Sequence, residues 1–531
     1  MIVSTDSDRE VGVVDFIQGG FQVNRYHRIA AALLAVFGSL ASAHATQYIV
    51  VGKPDASAGQ LASQVGMTAN GTIVRALPQI NMYVVESNDS SYAQRMASAS
   101  AVQSVVKDPT ITLHEPIVQP LANSNAEAQA IAQQAQAAGA PTKAVAGINM
   151  SVLASNRLYQ LQWALRDVHV TTAWSRGYTG SGVRVAVLDS GIDCRNVWLA
   201  PNIDFSALAS FVPGEGACVR PGGYFNHGTH VAGIIAALPS SFGTVGIAPG
   251  ATLVPVKVLS EYSGSGSFSG VIAGILYAAD ANADVINMSL GAYPLPASDP
   301  GVMDLVAVFQ RAVAYARQKG AVTIVAAGND GAELGAGGDI DVPANVPGVL
   351  SVSATGPMGW ATGQPQYAYL DYLADYSNYG LGITLSGPGG AQWYYYVNSS
   401  QRCPYAGYNF YCSTLDLVLS TSAGNTWYFA AGTSMATPAA SAVAALAIQR
   451  ARASAGIPVS NPFAMMLFKK KQAQLVSQIM TTRGSDIGPL GSDMYFGTGR
   501  VDADMVTSFF VNPTPPVNNP YLRLVYPEIF L

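Results

Sequence analysis

Charge is scarce in this chain: Asp, Glu, Lys and Arg make up 11% of its 531 residues, against about 25% in ordinary soluble domains. Hydrophobic residues nevertheless reach 49% and glycine occurs 53 times, which excludes a disordered or polyelectrolyte chain. Positive charge has no surplus, since 27 Lys and Arg face 32 Asp and Glu for a net charge of -5. With nothing left over to neutralise phosphates, nucleic acid is disfavoured as a partner. A long apolar run is missing too: the main one, Ile29 to Ala43, falls short of the ~20 residues that cross a bilayer. No integral membrane segment is therefore expected in the mature form. Histidine is limited to six residues and cysteine to four. Neither C-x-x-C nor H-E-x-x-H spacing occurs, so zinc and thioredoxin-like redox chemistry have little support.

What is present begins with an export-like leader over residues 1–45. Arg25, His27 and Arg28 precede the apolar Ile29–Ala43, and Ala43-His44-Ala45 supplies a small-x-small cleavage pattern. The acidic Asp6, Asp8, Glu10 and Asp15 fit such a leader badly and point to a start further in, at Val23 for example. Export into an oxidising compartment favours disulfides. Of the three possible pairings, Cys194 with Cys218 and Cys403 with Cys412 close the shortest loops; buried free thiols are the alternative.

The length would allow three or four domains at ~150 residues each. Residues 46–116 suggest a small α/β unit, with strands at Tyr48–Gly52, Asn81–Val85 and Val102–Val106 and a helix over Tyr92–Ser98. Residues 117–156 change character; their Ala- and Gln-rich composition indicates a linker with helical tendency. From residue 157 to about 508, short apolar strands (Val183–Leu188, Leu253–Leu259, Asp284–Met288, Val322–Ala326) alternate with helical segments (His227–Ala237, Ser269–Ala281, Met303–Lys319, Ser434–Arg452). That alternation predicts an α/β fold, a doubly wound and mostly parallel sheet covered on both faces. Residues 509–531 form a Pro-rich tail.

In such a sheet the chemistry lies beyond the carboxyl ends of the strands, and four short patterns fall there or at helix starts. Asp189-Ser190-Gly191 follows a strand directly; alone it is more often a plain turn. His227-Gly-Thr-His230 opens a helix and offers one candidate general base and one core histidine, and spacing alone does not separate them. Gly432-Thr433-Ser434 begins an Ala-rich helix, where a serine is either an N-cap or a nucleophile whose own N–H faces developing negative charge. Asn329 leaves another strand end and has an amide that can donate to an oxyanion. The G-x-S-x-G elbow is a weaker match, because Ala436 stands in its last position and the order of the groups along the chain is wrong for that fold.

Together these patterns resemble the subtilisin-like serine proteases. The matching runs are Val185–Asp193, Asn226–Gly233, Val285–Gly291, Ala326–Asn329, Gly432–Pro438 and Phe496–Ala503. The resemblance implies a subtilisin-like catalytic domain over 157–508 in which Asp189, His227 and Ser434 form the triad. It makes Asn329 and the Ser434 N–H the oxyanion donors, and Gly264-Ser265-Gly266 with Ser289-Leu290-Gly291 the edges that receive polypeptide substrates. It implies no cofactor for the chemistry, and structural calcium is possible. Residues 46–116 are similar to the family's inhibitory propeptide, a ferredoxin-like α+β unit that would be the enzyme's own intramolecular partner until cleaved between Pro116 and Asn156. Asp341, in Ile340-Asp-Val-Pro-Ala344, falls where the family has the floor of the P1 pocket. There it would favour Lys or Arg; a carboxylate in an exposed loop is the alternative. The overall expectation is a secreted, self-processing serine endopeptidase, and the rival is a catalytically silent binding or surface protein of the same fold.

Overall fold

The computed structural model describes residues 45–508 apart from 68–69, 114–116, 123–124, 140, 142–146, 221–225 and 458–460. The expected leader and Pro-rich tail lie outside the described residues, save Ala45. The central sheet runs, edge to edge, through Tyr372–Leu373, Leu350–Gly356, Val322–Ala326, Val285–Met288, Arg184–Asp189, Thr252–Lys257 and Ala209–Ser210, with Leu385–Pro388 also beside Leu350–Gly356. Every pairing is parallel except that of Tyr372–Leu373. The inner strands are short, mostly apolar and, apart from Arg184 at one end, buried along their length, as strands covered on both faces must be. The fold is therefore the doubly wound α/β architecture expected.

One cover is the helix Thr433–Ser454, buried through most of its turns; its alanines let it lie close to the sheet. The opposite face is covered by Phe268–Asp280 and Pro300–Gln318, which share an apolar cluster with the strands. Asp299 caps the second of these by accepting from the Gly301 N–H at 2.8 Å, and Pro300 opens it with its φ already set. Disulfides join Cys194 to Cys218 and Cys403 to Cys412, with S–S distances of 2.01 and 2.13 Å. Among the described residues no helix is long and apolar enough to cross a membrane.

The N-terminal unit is a four-stranded antiparallel sheet in the order Thr72–Leu77, Met82–Ser87, Thr46–Gly52, Val102–Lys107, with helices Ala58–Met67 and Tyr92–Ala97. This is a ferredoxin-like α+β arrangement. Side chains alternate with the period of two that strands impose. Val50 and Val85 face the unit's own helices, whereas Ile49, Val51, Met82 and Val84 join the cluster formed with Phe268–Asp280 and Pro300–Gln318. Burying each such aliphatic side chain contributes about 1.5–3 kcal/mol. Two polar clamps fix the dock: Arg311 donates to the Gly52 carbonyl at 3.0 Å and to Gln103 at 2.6 Å, and Asp108 accepts from the Ser269 N–H at 3.0 Å. The stretch expected to be a linker is partly structured. It holds the strand Ile117–Pro120 and the helices Asn125–Ala138 and Met150–Ser155, and it buries Leu121, Ile131 and Leu153 in the main core.

Candidate active site

Asp189 is the last residue of its strand and is fully buried. His227 is the first residue of the helix His227–Ala236. Its Nδ1 lies 2.9 Å from both Asp189 carboxylate oxygens, and the Ser190 N–H donates to Oδ1 at 2.6 Å. A carboxylate held in this way fixes the ring orientation and makes Nδ1 the protonated nitrogen, which leaves Nε2 as the basic one. His230 points elsewhere. Its Nε2 lies 3.1 Å from the Tyr428 carbonyl, and burial, reinforced by His227, lowers its pKa to about 3. The ambiguity in H-G-T-H is settled by geometry: the first histidine has the carboxylate partner, and the second is a neutral core residue.

Ser434 stands in the first turn of Thr433–Ser454, where the leading N–H groups have no helical partner. Pro438, four residues on, has no N–H to give the Ser434 carbonyl. The Ser289 hydroxyl fills that place at 2.9 Å, and Ser434 Oγ in turn donates to the Ser289 carbonyl at 3.3 Å. The predicted substrate edge Ser289-Leu290-Gly291 is thereby tied to the serine itself. Asn329 Oδ1 accepts from the Thr433 N–H and hydroxyl, both at 2.8 Å, which orients the amide so that Nδ2 is its donor end. Sequence reasoning quoted Gly432 within the serine motif but gave it no role of its own. A Cβ built there would lie 3.5 Å from Asn329 Nδ2 and 3.5 Å from the Ser434 nitrogen. Asn329 Nδ2 and the Ser434 nitrogen thus converge on one point beside Gly432, as two donors to an oxyanion would.

A cavity of about 250 Å³ opens beside Ser434 and Asn329, lined also by Leu290, Gly291, Gly328 and Asp341. Asp341 is buried rather than in an exposed loop. It accepts one backbone N–H, from Ala344 at 3.3 Å, and burial, with a smaller push from Asp330, holds its carboxyl well above the usual carboxylate range. Gly291 leaves the approach to it open, since a Cβ there would come within 2.7 Å of Asp341 Oδ1.

The other predicted edge is occupied by the chain itself. Thr110–Thr112 pairs antiparallel with Ser265–Ser267, Ile111 standing opposite Gly266, and the Leu113 N–H donates to the Gly264 carbonyl at 2.9 Å. Thr112 and Leu113 line the cavity with Ser434. A Cβ on Gly266 would strike the Val258 carbonyl at 2.0 Å, so the missing side chain there serves packing within the domain. Among the described residues no group of three or more His, Cys, Asp or Glu side chains is gathered as a metal-ligand set, and calcium enters no step below.

Comparison with known proteins agrees with this geometry. Residues 180–499 match the model of the Subtilase family, peptidase S8. Over 345 residues, 65% of this chain, the sequence is 34% identical to Subtilisin Savinase of Lederbergia lenta, covering 98% of that protein. It is 34% identical over the same share to the alkaline protease of Shouchella clausii, covering 69% of it. In fold it is similar to the epidermin leader peptide processing serine protease of Staphylococcus aureus, with a TM-score of 0.61 at 18% identity over 88% of this chain and 98% of that one. Fervidolysin from Fervidobacterium pennivorans, a keratinolytic enzyme related to subtilisin, gives a TM-score of 0.59 at 20% identity over 88% and 61%.

Proposed function

Since this chain belongs to the subtilase family and is a serine-type endopeptidase acting on polypeptides, we propose that it cuts peptide bonds with Ser434 as nucleophile, His227 as general base and Asp189 as the group that orients and steadies the imidazole. Ser434 Oγ adds to the scissile carbonyl while His227 Nε2 takes its proton. The tetrahedral oxyanion is held by the Ser434 N–H and Asn329 Nδ2. Collapse expels the amine, which receives the proton from His227, and leaves an acyl-serine. Water, activated by the same imidazole, then releases the acid. No cofactor takes part. The observation that carries the reading is the convergence of Asn329 Nδ2 and the Ser434 nitrogen beside Gly432, in the turn that holds Ser434, together with the buried Asp189–His227 pair.

Two finer readings accompany it. Asp341 at the end of the cavity favours Lys or Arg before the cut bond, because a buried carboxyl with one weak donor gains most from a cation. The N-terminal unit is an inhibitory propeptide of an exported zymogen. What supports this is the leader-like segment in the sequence and the strand Thr110–Thr112 lying on Ser265–Ser267 as a substrate would by β-addition. That position favours self-cleavage just ahead of Ile117, near the start of the stretch inferred from sequence.

Expression of the unaltered chain beside Ser434→Ala, with a serine-reactive fluorophosphonate, tests the reading. The unaltered protein becomes labelled and shortens to its catalytic part, and the variant does neither. A chain that is neither labelled nor shortened overturns it.

A further inference from the structure

The end of the molecule away from the candidate active site carries a face that is both apolar and basic. The helix Pro462–Thr482 turns Phe468, Gln472, Leu475 and Val476 into the protein. Lys469 is drawn inward as well, its Nζ 3.0 Å from the buried Asp284 and donating to the Asn282 carbonyl at 2.8 Å. With those residues inside, the helical period sends Phe463, Met466, Leu467 and Lys470 outward together. They stay uncovered: Phe463 is 67% exposed, Met466 50% and Leu467 49%. Lys471 flanks this stripe, and residues 462–482 contain no Asp or Glu. Beside the helix lies the turn that ends Pro300–Gln318, held there by Gln472, which donates to the Gly320 carbonyl at 2.9 Å. Arg317 and Lys319 are exposed in it, and Asp280, paired with Lys319 at 2.9 Å, is the acid next to them.

The chain has eight lysines, and four of them, Lys319, Lys469, Lys470 and Lys471, are gathered at this end. In a protein of net charge -5 this is a local excess of the opposite sign. The segments at Asn282 and Gly320 lead into the amino ends of the strands Val285–Met288 and Val322–Ala326, whose carboxyl ends lead to Ser289 and Asn329. The face and the cavity beside Ser434 therefore lie at opposite edges of the sheet.

We propose that this face docks on an anionic lipid bilayer, with Phe463, Met466 and Leu467 entering the interface and the lysines meeting the headgroups. The apolar stripe alone would leave its cover undecided; the basic rim selects a surface that is apolar within and negative at its border. Few apolar side chains bind a bilayer only reversibly, and each basic residue near an anionic leaflet strengthens binding about fivefold. The two signals act together. Docked in this way, the protein turns the cavity beside Ser434 away from the lipid and toward polypeptides in solution. The docking stands or falls independently of the protease reading.

All four cysteines are paired in disulfides, so Met466→Cys supplies a single thiol for an environment-sensitive dye in the full chain. Because the dye reports on the face itself, lipid contact made by the apolar Ile29–Ala43 of the leader does not enter the readout. The dye should shift to the blue on vesicles containing phosphatidylglycerol and keep its aqueous spectrum on pure phosphatidylcholine. On Glu333→Cys, exposed at the opposite edge of the sheet beyond Asn329, it should stay aqueous on both. Lys470→Gln with Lys471→Gln should weaken binding to the anionic vesicles about twentyfold, and Phe463→Ser at least about tenfold. Cleavage of a short soluble peptide should remain within about twofold in each of these variants. A dye at position 466 that stays aqueous on anionic vesicles, or shifts equally on neutral ones, overturns the proposal. So do lysine variants that bind as before, or a dye already shifted without lipid in a protein whose mass by light scattering is doubled, since the cover would then be a second copy of the chain.

Discussion

Two carboxylates of the candidate site, Asp189 and Asp341, are equally buried and differently partnered. Asp189 has His227 Nδ1 at 2.9 Å from both oxygens and the Ser190 N–H at 2.6 Å. Asp341 has one backbone N–H at 3.3 Å and a second carboxylate, Asp330, nearby. Burial penalises both charges alike, so the partner decides what each can do. The first is satisfied within the fold, and on the proposed mechanism it acts through the imidazole on any substrate. The second lines the cavity beside Ser434 with one weak donor, and on the proposed reading its influence reaches only substrates that bring a cation.

The sharpest way to break the comparison is to neutralise each carboxylate without changing its shape. Asp189→Asn should lower kcat by about 10⁴, the effect found where an asparagine imposes the wrong imidazole tautomer in a Ser-His-Asp triad. The loss should be the same for peptides with Arg or Leu before the cut, and a loss confined to Arg peptides would merge the two roles. Next in size is Asn329→Leu, with a loss of about 10²–10³ in kcat, a magnitude known for subtilisin itself rather than derived from this geometry. It too should ignore the residue before the cut, as measured by kcat on both peptides. Asp341→Asn should be smaller and selective. An ionic hydrogen bond contributes about 1.5–3 kcal/mol, so kcat/KM for the Arg peptide should fall roughly ten- to a hundredfold while the Leu peptide stays level or gains. Parallel losses on both peptides would return Asp341 to a purely structural role.

How far these groups could be read from the order of residues depends on how local their cause is. Asp189, His227, Asn329 and Ser434 each follow a strand end or open a helix, so a few neighbouring residues suffice to mark them, and the parallel strands announce themselves as short apolar runs. Gly432 was visible only as part of the serine motif, because its own meaning lies in the distance between Asn329 and Ser434, which no local window contains. Arg311 and Asp108 escaped for the same reason: their partners are Gly52, Gln103 and Ser269, far away in the chain. In the N-terminal unit the helix Ala58–Met67 went unseen because, among its described side chains, the buried ones are Leu61 and Val65, too thin a stripe to show a period. The strand Thr72–Leu77 is an edge with mostly exposed side chains. Residues 117–156 looked like a linker because Leu121, Ile131 and Leu153 are isolated among alanine and glutamine. Surfaces supplied by distant segments bury them.

The smallest expected effect separates the two carboxylates most cleanly. Burial raises the Asp341 pKa, so the neutral acid persists to a higher pH than for an ordinary carboxyl. A Lys or Arg side chain favours the ionised form, so its entry releases a proton, and KM for the Arg peptide should fall as pH rises toward the Asp341 pKa and level off above it. For the Leu peptide the neutral acid is the better lining, and its KM should hold or rise over the same range. His227 must be unprotonated for either peptide, so the Arg-to-Leu ratio of kcat/KM cancels that ionisation and reports on the cavity alone. Stability should move the opposite way to Arg affinity. A carboxyl whose folded pKa is raised contributes stability that is fully present below its unfolded value and lost as pH rises through the folded one. The ratio should therefore climb severalfold with pH while the melting temperature of the unliganded protein declines, and Asp341→Asn should flatten the ratio and remove that group's share of the decline. A ratio that stays flat in the unaltered protein, or falls with pH, would mean that the cavity does not use the charge of Asp341.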